Sequence, residues 1–322
     1  MLTPFKFQPY LRTVLWGGSR IAAYKGWPTA EEGLGESWEI SAMPGRESVV
    51  KEGADQGLTL SQLVEKYGAD LLGRRVEEVY GRRFPLLVKL IDAHRDLSLQ
   101  VHPDDGLARS LHSGTGKTEM WYVVRADAGA MIYAGFSQAI TPEEYDRRVA
   151  DHSIMHVVAR HEAHAGDVIY LPAGCIHTLG AGNLVVEVQQ ASDITYRVYD
   201  YGRCDAAGHL RELHTDLARS ALDFSAGDGN FVTYDRAGKG RTPLVHCPYF
   251  RTDRFSLCGE ASLPAAADAF QVLVCVEGEA VLRLSGGASA GVSLRRGESV
   301  LVPAAALPQR MSGSATLLCV TV

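Results

Sequence analysis

The sequence predicts a mainly β protein, built as two β-sandwich domains with a small helical insertion. Three observations carry that expectation. Short β-prone runs bounded by Gly and Pro recur along most of the 322 residues. Helical three-and-four spacing is confined to the segments around 58–80 and 141–157. Finally, the run from Gly166 to Pro172 (Gly-Asp-Val-Ile-Tyr-Leu-Pro) is echoed from Gly297 to Pro303 (Gly-Glu-Ser-Val-Leu-Val-Pro), so one structural unit occurs twice.

Taken in order, residues 5–50 hold short strand-like pieces, among them Leu15-Trp16-Gly17-Gly18 and Gly35-Glu36-Ser37-Trp38-Glu39-Ile40-Ser41, with no helical period. After Thr59, a residue suited to cap a helix, Leu60, Leu63, Val64, Tyr67 and Leu71-Leu72 follow helical spacing, as one short helix or two. Phe84 to Asp92 reads as a buried strand with Lys89 inside it. A lysine there is either a snorkelling side chain at a strand edge or, if it faces a cavity, a group for anions or proton transfer. Thr141-Pro142-Glu143-Glu144 opens a helix expected to run to about Val157. Strands resume at Asp167–Leu171 and at Asn183–Gln190. The Gly- and Asp-rich stretch from Gly227 to Gly240 marks the boundary between a first domain over 1–235, which includes the helical segments, and a second over 236–322.

Composition narrows the function. A hydrophobic content of 46%, a charged content of 22% and a net charge of −6 are those of an ordinary globular chain, and the acidic balance argues against nucleic acid as a partner. No signal-like or membrane-spanning apolar run occurs, so the expected protein is soluble and cytoplasmic, without a membrane partner. The six cysteines lack a C-x-x-C pair and read as reduced, mostly buried thiols.

The chemistry concentrates between Leu97 and His177. Leu99-Gln100-Val101-His102 is a strand with Gln100 and His102 on one face. Glu119 opens the β-prone run to Val124, and the Pro172-Ala173-Gly174 turn delivers His177. An amide, two imidazoles and a carboxylate form a mixed N/O set suited to a borderline divalent ion such as zinc. Gly116-Lys117-Thr118 is not a phosphate-binding loop, because the pattern requires glycine where Leu111 stands and a helix where a strand follows. The remaining histidines, including His161, are expected in solvent. The echo after Pro303 has no histidine, so the second domain is expected to hold no metal.

The histidine after Gly166-x-x-x-x-x-Pro172-x-Gly174-x-x resembles the second motif of the cupin superfamily. Gln100-x-His102 with Glu119 stands where its first motif places ligands. The likeness is closer still. Leu97-Ser98-Leu99-Gln100-Val101-His102-Pro103-Asp104-Asp105, Gly116-Lys117-Thr118-Glu119-Met120-Trp121-Tyr122-Val123, Leu171-Pro172-Ala173-Gly174-Cys175-Ile176-His177 and Ser192-Asp193-Ile194-Thr195-Tyr196-Arg197-Val198-Tyr199-Asp200 together resemble the type I mannose-6-phosphate isomerases in their short bacterial form. That resemblance implies two jelly-roll domains, one zinc ion per chain on Gln100, His102, Glu119 and His177, and an essential Arg197. It places Lys89, Lys117, Glu187 and Asp193 around the site as catalytic groups, and Ser98, Lys89, Lys117 and Arg197 against the substrate. The implied reaction interconverts mannose 6-phosphate and fructose 6-phosphate through an enediol, by a monomer or homodimer. Two rivals stand beside it, an iron cupin oxygenase and a sugar-binding or regulatory cupin without catalysis. Several cations beside one metal favour the isomerase.

Overall fold

In the computed structural model, the described residues are 2–28, 31–204, 208–227, 230–263, 268–284, 291–306 and 309–322. Among them, strands form antiparallel pairs in three sheets of eight, six and five strands, which is the mainly β architecture expected. The six-stranded sheet runs in the order Val168–Leu171, Glu119–Ala126, Asn183–Gln190, Leu86–Ala93, Leu34–Ile40, Tyr10–Gly18. Facing it is the five-stranded sheet Tyr196–Tyr199, Leu99–Val101, His177–Leu179, Met131–Phe136, Val158–Glu162. Trp121, Val123, Val185 and Ile91 from the first meet Ile132, Ala134 and Leu179 from the second in one apolar core. This is the first sandwich.

The other face of the six-stranded sheet is also covered. Val88, Leu90, Met120, Val186 and Val188 pack with Val272, Val274, Leu318 and Val320 of the eight-stranded sheet and with Leu60, Leu63, Leu71 and Leu72 of the helical segment. Asn183–Gln190 and Leu86–Ala93 are therefore buried on both faces, which explains their near-continuous apolar sequences. It also settles Lys89. Even-numbered residues of its strand face the second layer, so Lys89 shares the opposite, inward face with Ile91.

The eight-stranded sheet contains most strands beyond residue 240 and bends over its own core of Phe255, Leu257, Leu273, Cys275, Met311 and Leu317. Phe5–Gln8 and Val49–Val50, from the start of the chain, complete its edge. Phe5 and Lys6 pair with Leu301 and Val300, and Lys6 Nζ reaches Glu298 at 2.9 Å. The two repeat copies share one local feature, a left-handed glycine ahead of a strand. Gly166 and Gly297 both adopt left-handed φ, 85° and 80°, ahead of the strands Val168–Leu171 and Ser299–Val302, a conformation that costs glycine little. Leu318 is fully buried where the second layer meets the first. Leu318→Ala should lower stability by about 2–5 kcal/mol, read as an earlier urea midpoint with unchanged slope.

Helical detail departs from expectation in several places. The first segment is three short helices, Leu60–Tyr67, Ala69–Leu72 and Arg74–Tyr80, interrupted at Gly68 and Gly73, with Thr59 capping the first through Gln62 N. The second starts at Pro142 with the expected Thr141 cap but ends at Ala150, and a single 3₁₀ turn, Ile154–Val157, follows. Helices at Arg20–Lys25, Asp105–His112 and Thr215–Ala221 have no counterpart in the sequence reading. Each is six to eight residues long and buries only one or two side chains, so no apolar stripe marks it. His161 is half-buried with its ring 4.7 Å from Phe231, not in open solvent. All six cysteines are free thiols; Cys175, Cys275 and Cys319 are buried and Cys247 partly so, whereas Cys204 and Cys258 are exposed. Among the described residues no helix is long and apolar enough to cross a membrane.

Candidate metal centre and cavity

Two rows of side chains, one on each sheet of the first sandwich, build the site. On the five-stranded sheet Gln100 is directly opposite His177 on one side and Arg197 on the other. On the six-stranded sheet Trp38, Lys89, Glu187 and Trp121 lie in cross-strand register, with Glu119 two positions before Trp121 on the same face. Between the rows lies a cavity of about 440 Å³ lined by Lys89, Ser98, Gln100, Lys117, Glu187, Asp193 and Arg197, with Trp38, Arg12, Glu36, Arg46 and Arg211 also on its walls.

Against two of these lining residues, Gln100 and Lys117, His102, Glu119 and His177 converge, all buried, with one ligand atom from each within 4.8 Å of the others. Glu119 Oε2 is 3.5 Å from His102 Nε2, and its Oε1 is 3.3 Å from His177 Nε2. The chemistry of the imidazoles fits a metal. His102 Nδ1 lies 2.9 Å from the Ile194 carbonyl and His177 Nδ1 lies 2.9 Å from the Cys175 carbonyl. A carbonyl can only accept, so each Nδ1 carries the proton and each Nε2 turns its lone pair toward Glu119. Gln100 stands beside this set, its amide nitrogen 3.4 Å from His177 Nε2. Turning the amide over brings its oxygen to the same place.

The cluster already behaves as a cation cradle. The Lys117 amine contacts Glu119 Oε2 and sits 2.8 Å from His102 Nε2. Burial, then the neighbouring Lys117, holds the His102 imidazole well below its ordinary pKa, favouring the neutral form that can bind a metal. Burial alone pushes Glu119 upward, but Lys117 and the two histidines outweigh it and keep the carboxyl well below its usual range.

Lys89 is clamped at the cavity wall by Glu187 Oε1 at 2.8 Å and Gln189 Oε1 at 2.7 Å, under the Trp38 ring at 5.0 Å. Burial alone would lower its pKa, and Glu187 followed by Glu36 reverses this, so the ammonium stays charged. The second Glu187 oxygen accepts from Trp121 Nε1 at 2.8 Å, and the same indole meets the His177 ring edge-on at 5.4 Å. Asp193 bonds Arg46 at 2.7 Å near the mouth. Arg197 forms no ion pair with Asp193 or Asp200. Its Nη1 donates to the Glu212 carbonyl at 2.6 Å, and its buried Nε has no partner. Burial, then the nearby Arg211, lowers its pKa, so its positive charge is poorly compensated where it lines the cavity.

All residues singled out from the sequence thus lie at one place. Trp38, Trp121, Arg12, Glu36, Arg46 and Arg211 did not stand out. For Trp38, Trp121, Arg12 and Glu36 the signal is register between distant strands, whereas Arg46 and Arg211 reach the cavity from loops that no local pattern places.

Comparison with known proteins agrees with this picture. Residues 4–131 match the model of the phosphomannose isomerase type I catalytic domain, and residues 241–322 match that of the mannose-6-phosphate isomerase cupin domain. The mannose-6-phosphate isomerase ManA of Bacillus subtilis is 37% identical over 279 residues, covering 86% of each protein. That of Streptococcus mutans is 34% identical over 307 residues, covering 94% of this chain and 93% of the relative. The crystal structure of the mannose 6-phosphate isomerase from Bacillus subtilis superposes with a TM-score of 0.90 over 100% of both chains at 33% identity. With such identity extending over most of its length, the chain belongs to the type I phosphomannose isomerase family.

Proposed function

We propose that this protein is an aldose–ketose isomerase that interconverts mannose 6-phosphate and fructose 6-phosphate, moving one proton between C1 and C2 through an enediol. The observation that carries the reading is the convergence of buried His102, Glu119 and His177 beside a cavity whose wall places Arg197 in register with Gln100. His102, Glu119 and His177, with Gln100 beside them, would hold one zinc ion. When bound, the ion supplies positive charge beside the sugar oxygens as the neighbouring carbon loses its proton.

The chain's own residues do the rest. Arg197 points a poorly compensated guanidinium into the cavity, where it stabilises negative charge building on oxygen in the transition state. Lys117 is favoured as the proton carrier over Glu187. Both Glu187 oxygens are already engaged, by Lys89 and Trp121, whereas the Lys117 amine lies at the ligand cluster. Glu187 then keeps Lys89 ionised and in place for substrate oxygens. Ser98 supplies a hydroxyl to the same wall, and Asp193 with Arg46 shapes the mouth.

Zinc-loaded protein mixed with mannose 6-phosphate should form fructose 6-phosphate, chelation should stop the reaction, and added zinc should restore it. Loaded, folded protein that binds the sugar phosphate without producing ketose would make it a binding protein. Oxygen consumption would make it an oxygenase.

A further inference from the structure

On the far side of the six-stranded sheet from the metal centre lies a second cleft of about 590 Å³, within the size range of small-molecule sites. Its walls come from the helix Arg20–Lys25, the strand Glu119–Ala126 and the eight-stranded sheet, and they bring five arginines and three tyrosines together with a single acid, Glu277. In a chain of net charge −6, so basic a cleft runs against the overall balance. We infer that this cleft is a binding site for a phosphate-bearing metabolite, separate from the catalytic cavity.

Two of the arginines carry the inference. Arg20 and Arg125 are paired with Asp127 and Arg236 with Asp167, but Arg254 and Arg296 have no carboxylate within ion-pair distance among the described residues. Each is instead held by a backbone carbonyl, Arg254 Nη1 by Gly238 at 3.1 Å and Arg296 Nε by Tyr24 at 3.1 Å. A guanidinium has five donors, so these carbonyls, with the Tyr122 hydroxyl also against Arg254, fix each group and still leave donors free. The Arg296 guanidinium also lies over the Tyr24 ring at 5.5 Å. Two ordered guanidinium groups without a carboxylate partner, both presented to one cleft by the eight-stranded sheet, suit the charge of a phosphate. Tyr234, half-buried with its hydroxyl fixed on the Gly166 carbonyl at 2.7 Å, supplies aromatic surface for the rest of the ligand, and the buried Tyr122 backs the cleft.

The strand geometry keeps the two sites apart. Tyr122 and Val124 point toward the cleft, whereas Glu119 and Trp121 point from the same strand toward the metal centre. Occupancy of one does not require the other.

Pyrophosphate is the probe. Calorimetric titration of the whole protein should show a binding event that saturating mannose 6-phosphate does not displace. Arg254→Ala with Arg296→Ala should weaken that event by about 10- to 100-fold, as expected for lost charge-assisted hydrogen bonds. Isomerase KM in this double variant should stay as in the parent. Arg296→Gln alone, at an exposed position, should weaken the event in the same direction if the double variant folds poorly. A pyrophosphate isotherm that mannose 6-phosphate abolishes completely, or one equally tight in parent and variants, would overturn the assignment. Neither result bears on the isomerase assay, so the two readings fail independently.

Discussion

Glu119→Gln will reduce turnover of mannose 6-phosphate by about 10³-fold or more, and the purified variant will carry less zinc than the parent. The substitution preserves shape and removes one negative charge at a fully buried position between His102 Nε2 and His177 Nε2. Two neutral imidazoles and two amides hold a divalent cation far less tightly than the same set with a carboxylate, because the carboxylate contributes most of the compensating charge. The variant also leaves the Lys117 ammonium without its buried partner, which costs stability in its own right. Metal content by elemental analysis and melting temperature, measured beside turnover, separate the two effects. A zinc-poor Glu119→Gln protein turning over at the parental rate would remove the metal centre from the reaction.

Arg197→Ala should lower kcat/KM by about 10²–10³-fold while zinc content stays at the parental level. The guanidinium rests on the Glu212 carbonyl and not on a carboxylate, so its removal strands no buried acid, and the melting temperature should change little. Arg197→Lys should recover only a small part of the loss, since an ammonium on a shorter stem cannot reproduce a planar group spanning Glu212 and the cavity. Near-parental activity in Arg197→Ala would assign this arginine a purely structural role.

Much of the candidate metal centre is legible in the sequence. Gln100 and His102 two apart on a strand, Glu119 at the head of another and His177 after a Pro-x-Gly turn express local geometry, and local geometry is what sequence encodes directly. Lys89 was visible as a charge in an apolar run and Glu187 only through the family resemblance, and neither was visible as the other's partner. Their pairing depends on the register between Leu86–Ala93 and Asn183–Gln190, about 100 residues apart, which no local pattern specifies. Trp38 and Trp121 were hidden for the same reason, since a tryptophan in a strand reads as core until the cross-strand row is known. The short helices escaped because they bury only Ile21 and Ala22, Ala108, and Ala218, so none carries the apolar stripe that Leu60, Leu63 and Val64 give the helix after Thr59. Asp104 alone gave a sign of one of them, a capping residue whose carboxylate accepts from Leu107 N at 2.7 Å.

The seating of Phe5–Gln8 against Ser299–Val302 has a consequence for biosynthesis. At about 5–20 residues per second, the partner of that first strand leaves the ribosome only about 15–60 s after it does. Until then the Phe5 and Phe7 side chains and an open strand edge are available to other nascent chains or to chaperones. The strand Phe5–Gln8 is therefore among the last segments to reach its native place, although it is made long before its partner.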